Sequence, residues 1–235
     1  MRADRPSPRP VDEEMPFGLP KHWRWVRLAQ LGQIVGGGTP KSDDASMWSL
    51  AGIPWLTPAD LYRLREKTIG RGRRDISDKG LGESSARVLP AGAVLFSSRA
   101  PIGYVAIAAN ALATNQGFKS CVPDVAQLAD YLYWYLKHAA RGIDAAASGT
   151  TFKEVSGAEF ARVLVPLPPL AEQHRIVARV EELMKLCDAL EQNGRLADEQ
   201  HARLTSTLFD ALVASDSAHA LAENWQRVAE HLGQR

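Results

Sequence analysis

Cysteine is almost absent. Of 235 residues only Cys121 and Cys187 are cysteines, which excludes a disulfide-stapled scaffold and any four-cysteine metal site. No stretch approaches the ~18 uninterrupted apolar residues that a membrane-spanning helix needs. The opening MRADRPSPRPVDEEMPFG carries charges and prolines where a secretory signal would need an apolar core. Aromatic residues make up 7%, charged residues 23% and apolar residues 45%, an ordinary globular balance with enough apolar surface for a real core. These absences predict a soluble, cytoplasmic protein in a reducing compartment, with no membrane partner.

Catalytic signatures are missing as well. GGGTPKS at 36–42 has glycines and a lysine but not the GxxxxGK[ST] spacing that brings a lysine to a phosphate, and reads as a turn. There is no GxSxG elbow, no HExxH and no GxGxxG. Only His22 and His138 precede residue 170, Ser97 and Ser98 have no evident base, and the Asp/Asn-Pro-Pro-aromatic segment of amino-methylating enzymes does not occur. The sequence therefore predicts a binding protein with no catalytic residues, no metal site and no directly bound cofactor.

Proline and glycine divide the chain. Residues 1–18 are rich in proline and charge and read as a flexible tail. Residues 19–169 are turn-rich and mixed. Ala93–Phe96, Tyr104–Ala108 and Val163–Leu167 are short apolar runs bounded by Gly and Pro and predict strands, whereas Leu128–His138 sets Leu128, Leu132, Tyr135 and Leu136 near one helical face. This mixture predicts an α+β domain. Beyond Pro169, proline disappears and only Gly194 interrupts the run before Gly233.

Over 170–235 the spacing is helical. Steps of four and three from Ile176 reach Val180, Leu183, Cys187, Leu190, Gly194, Ala197, His201, Leu204, Leu208, Ala211 and Ser215, mostly small or apolar side chains. A 3.5-residue period is that of a helix packed lengthwise on a partner helix. A 45-residue helix from Leu170 would be ~68 Å long at ~1.5 Å per residue, so a long projecting coiled-coil-type helix is expected. Ile176, Val180, Leu183, Cys187, Leu190, Leu204 and Leu208 are its expected pairing residues. After Ser215 helical spacing resumes with Leu221, Trp225, Val228 and Leu232.

Charge is uneven along the chain. Residues 1–169 carry a formal balance of +5 and residues 170–235 one of −4; Leu61–Lys79 (LYRLREKTIGRGRRDISDK) alone carries +4. A basic segment of this kind suits a polyanion, although it also suits a merely solvated face.

Several segments resemble the specificity subunits of type I restriction–modification systems: LPKHWRWVRLAQLGQIVGGGTPKS (19–42), IPWLTPADL (53–61), LPAGAVLFSSRAPIGYVAI (89–107), ATNQGFKS (113–120) and VPLPPLAEQHRIVARVEELMKLCDAL (165–190). They stand in family order and span roughly 19–232. The resemblance implies a target recognition domain that reads half of a split double-stranded DNA sequence. It implies a spacer helix that packs antiparallel on the equivalent helix of a second repeat. It also implies type I methyltransferase subunits as partners, with a translocating restriction (nuclease) subunit able to join. Methyl transfer from S-adenosylmethionine to adenine would belong to the methyltransferase subunit. Relatives of usual length carry two recognition domains and two spacer helices, and one of each is present here. A half-length subunit that self-associates through the helix and a truncated half of a longer subunit both fit. A helical dimerisation adaptor without DNA binding is the rival of another class.

If the shared motifs are scaffold, DNA contacts fall in the less family-like stretches. The candidates are Arg63, Arg65, Lys67, Arg71, Arg73, Arg74 and Lys79, on a turn whose Gly70 and Gly72 suggest flexibility, and Thr150, Thr151 and Lys153 in the loop Ser148–Lys153. Lysine and arginine contact phosphates, and an arginine forks onto guanine. Asn115 and Gln116 have the amides to pair with adenine but read better as turn scaffold, and Trp55 reads as core.

Overall fold

The computed structural model describes residues 15–147 and 153–213, together with Glu223 and Gln226. In chain order the strands and helices are β1 (Arg24–Arg27), β2 (Gly32–Gly36), β3 (Trp48–Ser49), β4 (Ile53–Leu56), β5 (Thr68–Ile69), β6 (Arg74–Ile76), α1 (Asp78–Gly82), β7 (Val94–Ser98), β8 (Ile102–Ala108), β9 (Ala113–Thr114), β10 (Lys119–Pro123), α2 (Leu128–Ala146), α3 (Gly157–Arg162), β11 (Leu164–Leu167) and α4 (Leu170–Val213). The fold is α+β, with a long C-terminal helix, as the alternation of short apolar runs and turns predicts. The chain divides after Val177 into a body and a second unit that holds the rest of α4.

The body is built on a five-stranded sheet of order β2-β10-β7-β8-β5, antiparallel except for β5 on β8. Every residue of β7 is buried. Its side chains alternate between two cores, as a period of two requires. Val94 and Phe96 join Leu128, Leu132 and Leu136 of α2, whereas Leu95 joins Leu56, Leu112 and Phe118. A four-stranded sheet of order β3-β6-β4-β9 encloses a third, smaller core of Trp55, Ile76, Ala86 and Ala113. Trp55 is thus core, and its indole Nε1 donates to Gly38 O at 2.9 Å.

Helix α2 begins where the leucine spacing places it and runs past His138 to Ala146. In the extension AARGIDAA Ile143 is the one large apolar residue, packed with Ala140 against the core, and alanine carries much of the rest by propensity.

The glycines of 36–38 form a passage and not a phosphate cradle. A Cβ on Gly37 would stand 1.9 Å from Asn115 O, and one on Gly38 would stand 2.2 Å from Ala86 N. Only glycine lets the three backbones approach this closely. The TNQG turn closes on it from the other side. Gly38 N donates to Thr114 O at 2.8 Å, Asn115 Oδ1 accepts from Gly117 N at 2.8 Å, and the Thr39 hydroxyl donates to Gln116 Oε1. Asn115 is engaged within the turn itself, and Gln116 with Thr39 across the passage.

A two-stranded ribbon ties the two ends of the body together. β1 pairs antiparallel with β11, in the register Arg24 to Leu167. The Tyr131 and Tyr135 hydroxyls of α2 donate to Pro166 O and Leu164 O, fixing β11 to the core. Burial pushes the Tyr135 hydroxyl up to about 12 and raises that of Tyr131, so both stay protonated donors. Pro168 and Pro169 end the strand, and α4 starts at once. Gln173 Nε2 donates to Pro168 O at 2.8 Å, and Trp23 Nε1 donates to Glu172 Oε2 at 3.0 Å. Val177 is buried in the core shared with α2. Within the segment assigned to a tail, Phe17 meets Trp25 edge to face at 5.0 Å, and its carbonyl accepts from Trp25 Nε1 at 3.1 Å.

Candidate nucleic-acid interface

The basic segment leaves the third 3-10 turn, Pro58–Leu61, and runs through β5 and β6 into α1. Two carboxylates fix it from beneath. Asp60 Oδ2 accepts from Thr57 N and from the Thr57 hydroxyl, both at 2.7 Å. Its Oδ1 accepts from Arg73 N at 3.2 Å and lies 3.7 Å from Arg73 Nε. Asp75 Oδ2 accepts from Gly52 N at 3.1 Å and pairs with Arg71 Nη2 at 3.1 Å. Gly72 is packed so closely that a Cβ would lie 2.9 Å from Asp60 Cγ and 2.8 Å from Leu56 Cδ2. The sequence suggests a flexible RGRR turn. In the structure both glycines serve close approach, since Gly70 abuts Asn110 as Gly72 abuts Asp60, and Asp60 accepts the Arg73 amide.

The side chains on this backbone are exposed in differing degrees of restraint. Arg63 lies in the left-handed region at φ +62° with its guanidinium 5.1 Å over the Tyr62 ring. Arg65 is exposed. Lys67 pairs with Asp130 of α2 at 2.8 Å. The Arg74 guanidinium lies 3.4 Å over the Trp48 ring, and Trp48 in turn meets Trp55 edge to face at 5.2 Å. Lys79 donates to Ser46 Oγ at 2.8 Å and stands 3.5 Å from Asp44 Oδ2. Hydrogen bonds from the Ser46 hydroxyl and amide, with Lys79 nearby, hold the Asp44 carboxyl below its ordinary value. Exposed pairs of this kind are screened by solvent and leave their cations available to a polyanion.

Of the second candidate group, Thr150 and Thr151 lie outside the described residues. Lys153 is described, and its Nζ donates to Asp144 O at 3.3 Å. It borders a cavity of about 630 Å³ that Arg99, Ala100 and Glu154 also line. Sequence reading overlooked this place, because Arg99 sits inside a segment taken for scaffold. Glu154 bridges Lys119 at 3.1 Å and Arg99 at 3.9 Å, and Ala100 holds a φ of +42°. Neither the long-range pairing nor the backbone angle leaves a mark in the local sequence. A larger cleft of about 1230 Å³ lies between α2 and α3, with His138, Gly142, Glu159 and Arg162 among its walls.

The expected pairing residues of α4 fall in three groups. Ile176 is half-buried against the core of the body, so the first of them serves the body. In the second unit Val180 is half-buried, and Leu183, Cys187 and Leu190 are exposed, Leu183 by 44% and Leu190 by 62%. The side chains of Leu204 and Leu208 lie outside the described residues, as does most of the segment after Val213. Cys121 is buried, its thiol pushed up to about 12 by burial and then by Asp124. Among the described residues no cluster of His, Cys, Asp and Glu is arranged to hold a metal ion, and no helix is long and apolar enough to cross a membrane.

Comparison with known proteins covers both body and helix. The type I restriction modification DNA specificity domain matches residues 20–198. The specificity subunit of the type I restriction enzyme MjaIX from Methanocaldococcus jannaschii is 35% identical over 193 residues, 81% of this chain and 44% of that protein. The EcoAI specificity subunit of Escherichia coli is 26% identical, over 98% of this chain and 40% of its own length. This chain therefore spans about two fifths of the length of these relatives. Among solved structures, the HsdS subunit from Thermoanaerobacter tengcongensis superposes with a TM-score of 0.60 at 27% identity, over 77% of this chain and 42% of that one. A chain from a structural study of the assembly and conformational transition of the type I R-M system reaches 0.66 at 27% identity, over 81% of this chain and 45% of its own. With the family signature running from before β1 into α4, and the fold shared at this level, the chain belongs to the type I restriction–modification DNA specificity family.

Proposed function

We propose that the body reads one half of a split duplex DNA target, and that α4 pairs with α4 of a second copy to hold two such bodies at a set distance. The observation that carries the DNA reading is the basic segment from Arg63 to Lys79. It presents exposed cations on a backbone that Asp60 and Asp75 fix, in a chain whose relatives are named specificity subunits. The observation that supports pairing is the row of exposed apolar side chains on α4, including Leu183, Leu186 and Leu190.

On this reading the protein acts as a ruler in the cytoplasm and has no catalysis of its own. At about 1.5 Å per residue a 44-residue helix is about 66 Å long, and at ~3.4 Å per base pair that sets an upper limit near two turns of duplex between the half-sites. Twofold symmetry of the pair makes the site a split palindrome. Type I methyltransferase subunits dock on this frame and carry S-adenosylmethionine for adenine methylation; a translocating restriction subunit joins them. A helical adaptor without DNA binding is the competing outcome.

Gel shift across a salt series separates the two. Duplex binding through this segment gives an affinity that falls log-linearly with salt, with a slope of about −0.9 per phosphate contact. Retention of duplex by the full chain with no dependence on salt, or no shift at low salt, would contradict DNA reading.

A further inference from the structure

The basic segment holds two kinds of cation. Lys79 and its partner Asp44 are both well exposed, as an ordinary surface pair is. Arg71 and Arg73 differ. Their side chains are 57% and 78% exposed, yet the carboxylates they meet, Asp75 and Asp60, are only 4% and 6% exposed. A negative charge set behind an arginine weakens its attraction for any phosphate, so the arrangement is poorly suited to backbone binding alone. It suits a task in which orientation matters more than charge.

The free edges of the guanidinium groups fit that task. Arg73 approaches Asp60 Oδ1 through Nε at 3.7 Å, an ion pair that does not engage its end-on fork of Nη1 and Nη2 in the contacts described. Arg71 pairs Nη2 with Asp75 at 3.1 Å; Nη2 carries two N–H donors, so one remains beside a neighbouring nitrogen, Nη1 or Nε, on a shared edge. Each arginine thus retains a pair of donors in the rigid fork that matches O6 and N7 of guanine in the major groove. The carboxylates are held independently: Asp60 by the Thr57 amide and hydroxyl, Asp75 by the Gly52 amide. Neither swings with the arginine it restrains.

We propose that Arg71 and Arg73 are base-reading residues for guanine in the half-site, and that Asp75 and Asp60 are positioning residues that fix their forks. The inference rests on the DNA-reading function above and adds the base class and the residues that set it. Arg63, Arg65 and Lys79, which meet no buried carboxylate in the contacts described above, serve the phosphates.

The sign of one substitution distinguishes this from bulk electrostatics. Asp75→Asn keeps an oxygen for the Gly52 amide and removes a negative charge from beside Arg71. Electrostatics alone raises affinity for every duplex. Loss of positioning instead lowers affinity for the recognised duplex by about tenfold and leaves a scrambled duplex bound equally or more tightly. The experiment selects bound sequences from a randomised duplex library with the full chain, and then titrates the enriched duplex and a scrambled one. The wild type is expected to enrich guanine at two positions per half-site, and Arg71→Lys and Arg73→Lys each to lose the preference at one of them. Asp60→Asn should repeat the Asp75→Asn pattern, with thermal melts confirming that each variant folds. If neither aspartate variant folds, the two lysine variants, which leave the carboxylates in place, decide the outcome. A motif without guanine, an unchanged motif in the lysine variants, or higher affinity of a folded aspartate variant for both duplexes would overturn the inference alone. No enriched motif for the wild type would overturn the DNA-reading function beneath it.

Discussion

Aspartate at both Leu183 and Leu190 is expected to halve the mass of the protein in solution. Both leucines lie seven residues apart on α4, on the period of the paired seam, and are 44% and 62% exposed within the single chain. Burying a leucine against a partner helix contributes about 1.5–3 kcal/mol, and twofold pairing counts every seam position twice. Two carboxylates per helix in an apolar seam lose that burial and carry a desolvation cost that no partner offsets. Light scattering on the wild type and the double variant checks the result, with a thermal melt to show that the body stays folded. An unchanged mass would contradict pairing through this part of α4. The pairing is expected to survive substitution at Ile176, because that side chain rests on the core of the body.

The largest single loss of stability is expected from Phe96→Ala, at about 3–5 kcal/mol. Phe96 is fully buried on β7 and stacks on Phe160 of α3, with ring centroids 4.9 Å apart. It lies in the same core as Leu132 and Leu136 of α2, so truncation opens a void where sheet and helices meet. Domains are stable by only about 5–15 kcal/mol, and a loss of this size shifts the denaturant midpoint visibly. A change under about 1 kcal/mol would mean that the α2–β7 interface is not the principal core.

The parts of this fold that were legible in the sequence are those with a local cause. Glycine and proline bracket β7, Pro101 precedes β8 and Pro168 ends β11, and the disappearance of proline and scarcity of glycine after Pro169 announce α4. The leucine spacing sets the start of α2. What was not legible depends on groups far apart in the chain. The step of four and three that begins at Ile176 identifies a helix face, but not that its first turn is covered by the body. Lys67 meets Asp130 and Arg73 meets Asp60 only because the strands bring them together. For the same reason, a run of arginines and glycines gives the appearance of a flexible loop. Asp60 and Asp75 meet that run at Arg73 and Arg71, and no feature of positions 60 and 75 alone distinguishes them from any other aspartate. The composition of 61–79 points toward a polyanion. How its cations are oriented belongs to the tertiary structure.

The most direct test of the central claim is to map DNA methylation in cells that express this chain together with a type I methyltransferase subunit. A symmetric split motif with methylated adenine in both halves, absent from cells that lack this chain, is the expected result. Methylation that is unchanged by the presence of the chain would contradict the reading of this protein as the part that chooses the sequence.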